Sequence, residues 1–276
     1  MISPQKWFSE RPGMLIPVFF LCLSPGFGQE PWHAASILAA GGCFVSRNGT
    51  ADACGNQAGL GWIPERSFTL HHSRPFLLSE LGISSLDLQL PAGTGGFGAL
   101  FSTCGLKGFR QLSAWIAYGR KLGRGLSAGA GLFLRDHAVE EGRHHPGAGC
   151  ALGIQARPLD NLILGIHVMH PVSWAMEGSG LRQERMVISA GCSYTFFRSV
   201  TYHSDLHVRA GSPLQWSHGL ELYFNPSTGI MIGLHNAPLT LSGGFAFVHK
   251  RWTISMAVAS CPETGFTSAC SFTYAW

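Results

Sequence analysis

Short segments in which every second residue is apolar, with polar or tiny residues between, constrain this chain more than any other feature. A period of two places the two sets on opposite faces of a β-strand. In the final segment Phe266, Ser268, Cys270, Phe272, Tyr274 and Trp276 share one face, and Thr267, Ala269, Ser271, Thr273 and Ala275 share the other. Before residue 197, Met186, Ile188, Ala190, Cys192, Tyr194 and Phe196 alternate with Val187, Ser189, Gly191, Ser193 and Thr195. The next segment sets Val200, Tyr202, Ser204, Leu206 and Val208 against Thr201, His203, Asp205, His207 and Arg209. The same reading predicts fourteen strands, near 66–73, 84–91, 95–103, 110–119, 124–135, 147–157, 161–169, 184–197, 199–209, 214–225, 228–235, 238–249, 251–260 and 265–276.

Which solvent meets the greasy faces follows from charge. Of 276 residues 19 are Lys or Arg and 15 are Asp or Glu, so 12% are charged, about half the roughly 25% of globular domains. A soluble sandwich would turn the greasy faces inward and show water a skin of Gly, Ala, Ser and Thr with few charges. Lipid is the better solvent for such faces. Outside the N-terminus no apolar run reaches the roughly 18–20 residues of a spanning helix, so the expected fold is all-β: a transmembrane antiparallel β-barrel of about fourteen strands with a small N-terminal hatch or plug. The net charge of +4 is scattered along the chain and predicts no nucleic-acid surface.

Two features fix the expected orientation. If both termini are periplasmic, links after even strands should be short, and those at 91–94, 120–123, 157–160, 198, 226–228 and 250–251 are. The longer links, 74–83, 104–109, 136–146 and 170–183, then face outward. Tyr118, Tyr194, Phe196, Tyr202, Phe224, Trp252, Tyr274 and Trp276 fall near the periplasmic strand ends, as an aromatic belt at headgroup level would, with Trp216 as candidate for an outer girdle.

Lys6 and Arg11, an apolar stretch from Met14 to Leu23, and the small-residue run to Gly28 have the layout of a secretory signal peptide. The expected domains are therefore a signal peptide at 1–28, a hatch segment at 29–64 and the barrel at 65–276. Seven cysteines remain after residue 28; none forms a CxxC spacing, and Cys43 with Cys54 is the pair to test for a disulfide.

The hatch segment is small and glycine-rich, and a fourteen-stranded barrel leaves a pore unless something fills it. Gly41, Gly42, Phe44, Val45, Asp52, Ala53, Asn56, Ala58, Gly59 and Leu60 match a pattern of a GG-x-[FY]-V element, an Asp-Ala pair and an N-P-A-G-L element. On these residues the segment resembles the N-terminal hatch of FadL-like barrels, particularly the PorV/PorQ branch of Bacteroidetes-type bacteria. Gln57 stands where that pattern has proline. The resemblance implies an outer-membrane barrel accessory to type IX secretion, with secretion-system subunits as partners. The alternatives are a FadL-like passive channel for a hydrophobic small molecule and a non-transporting structural barrel. The C-terminal Phe272, Tyr274 and Trp276 resemble the signal read by the barrel-assembly machinery, which with outer-membrane lipid completes the expected partners.

Among polar residues, Arg135, His203, Asp205, His207, Arg209, Gln215 and Glu221 are expected to form a lumen network that hydrates the interior or holds the hatch. His203, Asp205 and His207 share a face, but residues two apart on a strand stand nearly 7 Å apart, too far for a simple metal site. No metal or cofactor is expected. His137, His144 and His145 are read as polar residues of an outward loop. No nucleophile stands beside a base and no G-x-S-x-G or Walker element occurs in a suitable context, so no catalytic residue is assigned.

Overall fold

The computed structural model describes residues 34–49, 53–106, 109–139, 143–175, 185–197 and 199–276. The expected signal peptide lies outside them, as does Asp52.

Fourteen antiparallel strands close on themselves: β1 Ser67–Arg74, β2 Ile83–Ala92, β3 Gly95–Leu106, β4 Phe109–Lys121, β5 Leu126–Val139, β6 Arg143–Leu159, β7 Leu162–Ala175, β8 Val187–Phe196, β9 Val200–Arg209, β10 Gln215–Asn225, β11 Thr228–Asn236, β12 Leu239–His249, β13 Trp252–Cys261 and β14 Gly265–Ala275. Each pairs with its sequence neighbours, and β1 pairs with β14 from Ser67↔Ala275 to Arg74↔Ser268. Closure leaves no open sheet edge, which hydrocarbon would not tolerate.

The alternation carries through to the two faces. Ile116, Leu132, Leu134, Ile188, Ile232 and Leu241 stand exposed on the outside. On the inside Ser85, Ser113, Ser127, Ser189, Ser217, Ser255 and Ser271 are buried. An exterior of this kind in water would be an apolar surface far larger than a soluble monomer shows. Hydrocarbon removes the penalty. At the end where even strands turn into odd ones, Trp252 lies 4.2 Å from Tyr274, Tyr274 6.0 Å from Trp276, and Phe97 4.8 Å from Tyr118, centroid to centroid. This end is called the turn end below, and the other the loop end.

Three expected outward links are shorter than read. β3 and β4 together leave only 107–108 between them, and β7 continues to Ala175. The largest change is at 136–146, where β5 runs to Val139 and β6 starts at Arg143, pairing His137↔His145 and Ala138↔His144. His137, His144 and His145 are therefore strand residues, with His144 Nδ1 2.7 Å from Asp136 Oδ2. A hairpin that rises beyond the hydrocarbon has water on both faces, so it needs no apolar alternation and looks like a loop in sequence. The 74–83 link holds two 3-10 turns, Pro75–Leu77 and Ser79–Leu81.

Residues 34–49 and 53–63 run inside the barrel. A short helix, α1 (Ala35–Ala39), packs against β11–β14, and a 3-10 helix (Gln57–Trp62) packs against β2–β6. Between them Phe44 to Ser46 reach β7–β9. Ala35, Val45, Cys54, Ala58 and Leu60 are fully buried, so the segment is packed into the lumen as a core would be. Its depth in the wall is permitted by glycine. A Cβ at Gly119 or Gly129 would collide with Gln57, at Gly153 with Asn56, at Gly165 with Val45, and at Gly233 with the backbone of Ala40 and Gly41.

Candidate functional site

The lumen is divided into three zones by what each wall face offers the inner segment. In the middle, polar side chains hold it. The Asp205 carboxylate accepts the Phe44 and Val45 backbone N–H groups at 2.6 and 2.9 Å. Gly191 leaves the room that the other Asp205 oxygen occupies. Glu221 pairs with Arg47, and His203 Nε2 is 3.6 Å from the same Glu221 oxygen. His203 Nδ1 and Ser46 Oγ both lie 2.6 Å from Ser193 Oγ, so a chain of hydrogen bonds runs from the segment into the wall. His207 Nδ1 is 2.8 Å from Ser189 Oγ, and its ring is stacked on Phe44 at 5.6 Å. On the far side Ser242 Oγ accepts from Gly41 N and donates to Ala39 O, both at 3.1 Å, while Ser271 Oγ accepts from Ala35 N at 2.9 Å. Buried backbone groups of an irregular segment are thus satisfied by wall side chains, as burial requires.

The described residues of the inner segment that the sequence singled out pack as follows. Gly41 and Gly42 adopt positive φ, +69° and +87°, and a Cβ on Gly41 would lie 2.7 Å from His218 O and Leu234 N. Phe44 sits between His207 and His167, whose ring meets it edge-on at 5.6 Å. Asn56 caps the 3-10 helix by accepting from Ala58 N at 3.1 Å, and donates to Val45 O at 2.7 Å. Ala58, Gly59 and Leu60 are buried behind it. Gln57 replaces the stiffness of the missing proline by other means: its Nε2 donates to Gly55 O at 2.7 Å and Ala53 O at 3.3 Å, closing the turn. Cys43 is a buried free thiol, so the Cys43–Cys54 bridge considered from sequence is not formed. Burial, with the Asp205 carboxylate nearby, pushes that thiol well above its ordinary range.

The expected network is split. Asp205, His207 and Glu221 bond to the inner segment or ring-stack on it and His203 reaches it through Ser193 and Glu221, whereas Arg135, Arg209 and Gln215 lie on inward faces nearer the loop end. His203 and His207 turn to different serines and Asp205 is taken by backbone N–H groups, so the three do not converge on a point. Among the described residues no group of three or more His, Cys, Asp or Glu is placed to hold a metal ion.

At the loop end the β3–β5 side of the wall is apolar. Leu100, Trp115 and Phe133 face inward in one row across β3, β4 and β5, four residues nearer the loop end than Gly119 and Gly129. Trp115 stacks on Phe133 at 4.3 Å, and the His170 ring meets Phe133 edge-on at 5.1 Å. Met169, Val187 and Phe44 belong with them to one buried cluster, which also takes in Ile37, Val45, Cys54 and Leu60 of the inner segment. The turn-end zone is the reverse: a cavity of about 400 Å³ bounded by Ser36, Arg47, His71, Thr201, Glu221 and Ser271. Arg47, the lone cation of an otherwise small-residue segment, and the inward mid-strand glycines are the sequence signals that would have located where the inner segment sits.

No protein-family model and no curated protein matches this chain. Solved structures do. The toluene transporter TbuX of Ralstonia pickettii superposes with a TM-score of 0.67 at 13% identity, covering 91% of this chain and 100% of that one. The toluene transporter TodX of P. putida gives 0.69 at 13% identity, over 88% and 98% of the two chains. A FadL homologue of Pseudomonas aeruginosa gives 0.63 at 9% identity, over 87% and 98%. This chain therefore shares the fold of the FadL-type barrels over nearly its whole described length.

Proposed function

We propose that the protein is a passive conduit of the bacterial outer membrane, reached by signal-peptide export, for a small apolar molecule of the aromatic-hydrocarbon class. The observation that carries this reading is the Leu100–Trp115–Phe133–Met169–Val187 wall against Phe44, an aromatic-rich apolar patch on the loop-end side of the inner segment; the buried apolar cluster on the β11–β14 side is mostly alanine. A small aromatic ring is the ligand such a wall suits, since offset and edge-on ring contacts contribute about 0.5–1.5 kcal/mol beyond burial. The fold shared with two toluene transporters favours the same class. The ligand would rest against Trp115 and Phe133 and leave when the segment around Phe44 shifts. The chain carries out no chemistry on it.

Whole cells that overproduce the barrel are expected to take up labelled toluene faster than vector controls, with Phe133→Ala reducing the gain severalfold. Uptake equal to the vector control contradicts the conduit.

One observation favours the second reading, a docking barrel for type IX secretion subunits. On the loop end the β9–β10 and β11–β12 links are short, leaving a low rim beside the raised β5–β6 hairpin. The residues that carry the PorV/PorQ resemblance do not separate the two readings, because those of them that are described pack against the wall. Loss of exported proteins on deletion, with toluene uptake unchanged, would give the role to docking. Phe272, Tyr274 and Trp276 stand on the outward face toward the turn end, and on this reading they serve as the signal for the barrel-assembly machinery.

A further inference from the structure

The two rims of the barrel differ in charge. Among the described residues, the turn end exposes Arg66, Arg120, Lys121, Arg124, Lys250 and Arg251 against Glu65 and Asp160. The loop end exposes Arg74, Arg110 and Arg185 against Glu80 and Glu263. The excess of cations sits where the aromatic belt is densest.

Register sets the height of these charges. Arg120 follows Tyr118 by two residues on the outward face of β4, and Arg66 precedes Phe68 by two at the start of β1. With about 3.3 Å of rise per residue and a tilted strand, each guanidinium extends from roughly 5 Å beyond the ring level. Rings of this kind mark the boundary of the hydrocarbon. The guanidinium groups therefore reach the plane of the headgroup phosphates. The turns are only two to four residues long, which holds the cations there: Lys250 and Arg251 are the turn before Trp252, and Arg120 Nε donates to Thr94 Oγ1 at 3.1 Å across the β3–β4 pair. Leu122 and Phe197, 62% and 93% exposed, project from the same turns as apolar anchors. Lys121 and Arg157 behave differently, turning toward the Trp62 ring at the lumen mouth, 5.1 and 4.1 Å from its centroid.

We infer that the turn-end rim is a binding surface for anionic phospholipid headgroups, with the phosphates of phosphatidylglycerol-type lipids held at separate points around it by Arg66, by Arg120 and Arg124, and by Lys250 and Arg251. Short turns face the periplasm in barrels of this architecture, so the lipid is that of the periplasmic leaflet. The inference rests on the membrane-spanning fold and not on which solute, if any, the lumen passes.

The test is native mass spectrometry of the full barrel, purified in a neutral detergent and offered equal amounts of phosphatidylglycerol and phosphatidylcholine with matched chains. Each basic group at an anionic surface is worth about fivefold. The unmodified protein is expected to retain phosphatidylglycerol at least fivefold over phosphatidylcholine, less so at high salt. In the variant Arg66→Gln/Arg120→Gln/Arg124→Gln/Lys250→Gln/Arg251→Gln the preference should fall to within twofold. It should persist in the loop-end control Arg74→Gln/Arg110→Gln/Arg185→Gln. Gel mobility before and after heating shows that each variant is folded, and a subset of the five charges replaces any variant that is not. Absence of a preference in the unmodified protein overturns the inference. So does an equal loss in the loop-end control, displacement of phosphatidylglycerol from this rim by lipid A, or its displacement by polyglutamate.

Discussion

Gly233→Val will open the barrel. A Cβ at this position collides with Gly41 N and stands within 2.6 Å of Ala40 C and Gly41 Cα, all backbone atoms that no rotamer change can move. Overpacking a core costs about 1–3 kcal/mol when neighbours can adjust; here the neighbour is a segment joined to the wall by side-chain hydrogen bonds and packing, and it is the weaker partner. β11 loses nothing, because valine suits a strand. The inner segment should leave its seat while the fourteen strands stay paired. In planar bilayers the unmodified protein is expected to pass little current, and Gly233→Val to raise it at least tenfold. Gly243→Val is the matched control: Gly243 lies on the outward face of β12, where a Cβ meets only Met231 O at 3.7 Å. Equal currents from the three proteins would mean that the segment does not plug the lumen.

Asp205→Ala should loosen the same segment at its other anchor. Hydrogen bonds to a charged acceptor contribute about 1.5–3 kcal/mol each, and Asp205 accepts two, from Phe44 and Val45. Their loss leaves two buried N–H groups without an acceptor. Amide hydrogen exchange at Phe44 and Val45 is expected to accelerate about 100-fold or more, the equivalent of roughly 3 kcal/mol, with β1 and β14 unchanged. Asp205→Asn, which keeps one acceptor oxygen, should fall between. Unchanged exchange in the alanine variant would remove Asp205 from the seating of the hatch.

The parts of this fold legible in sequence are those where the two faces of a strand meet different solvents. β8, β9 and β14 were readable residue by residue for that reason. Where both faces meet water, as in the Asp136–Pro146 part of the β5–β6 hairpin, the pattern disappears and strand is read as loop. Partners across the lumen were not legible at all. Sequence placed Asp205 and Glu221 on a polar face, yet their partners Phe44, Val45 and Arg47 lie 160 to 174 residues away, and nothing local encodes such a pairing. The apolar zone fell between these cases. Alternation sets Trp115 and Phe133 opposite the greasy faces of their strands, but the row that joins them to Leu100 needs the strand register, which only the closed barrel supplies.

The account depends on lipid being the solvent of the outer face, and assembly is the direct measure of that. The chain from residue 29, diluted from denaturant, is expected to aggregate in plain buffer. With detergent micelles or phospholipid vesicles it should fold to a compact species of altered gel mobility, with Ile116, Leu134, Ile188 and Leu241 covered by acyl chains. A folded, monodisperse monomer in buffer free of detergent and lipid would contradict it.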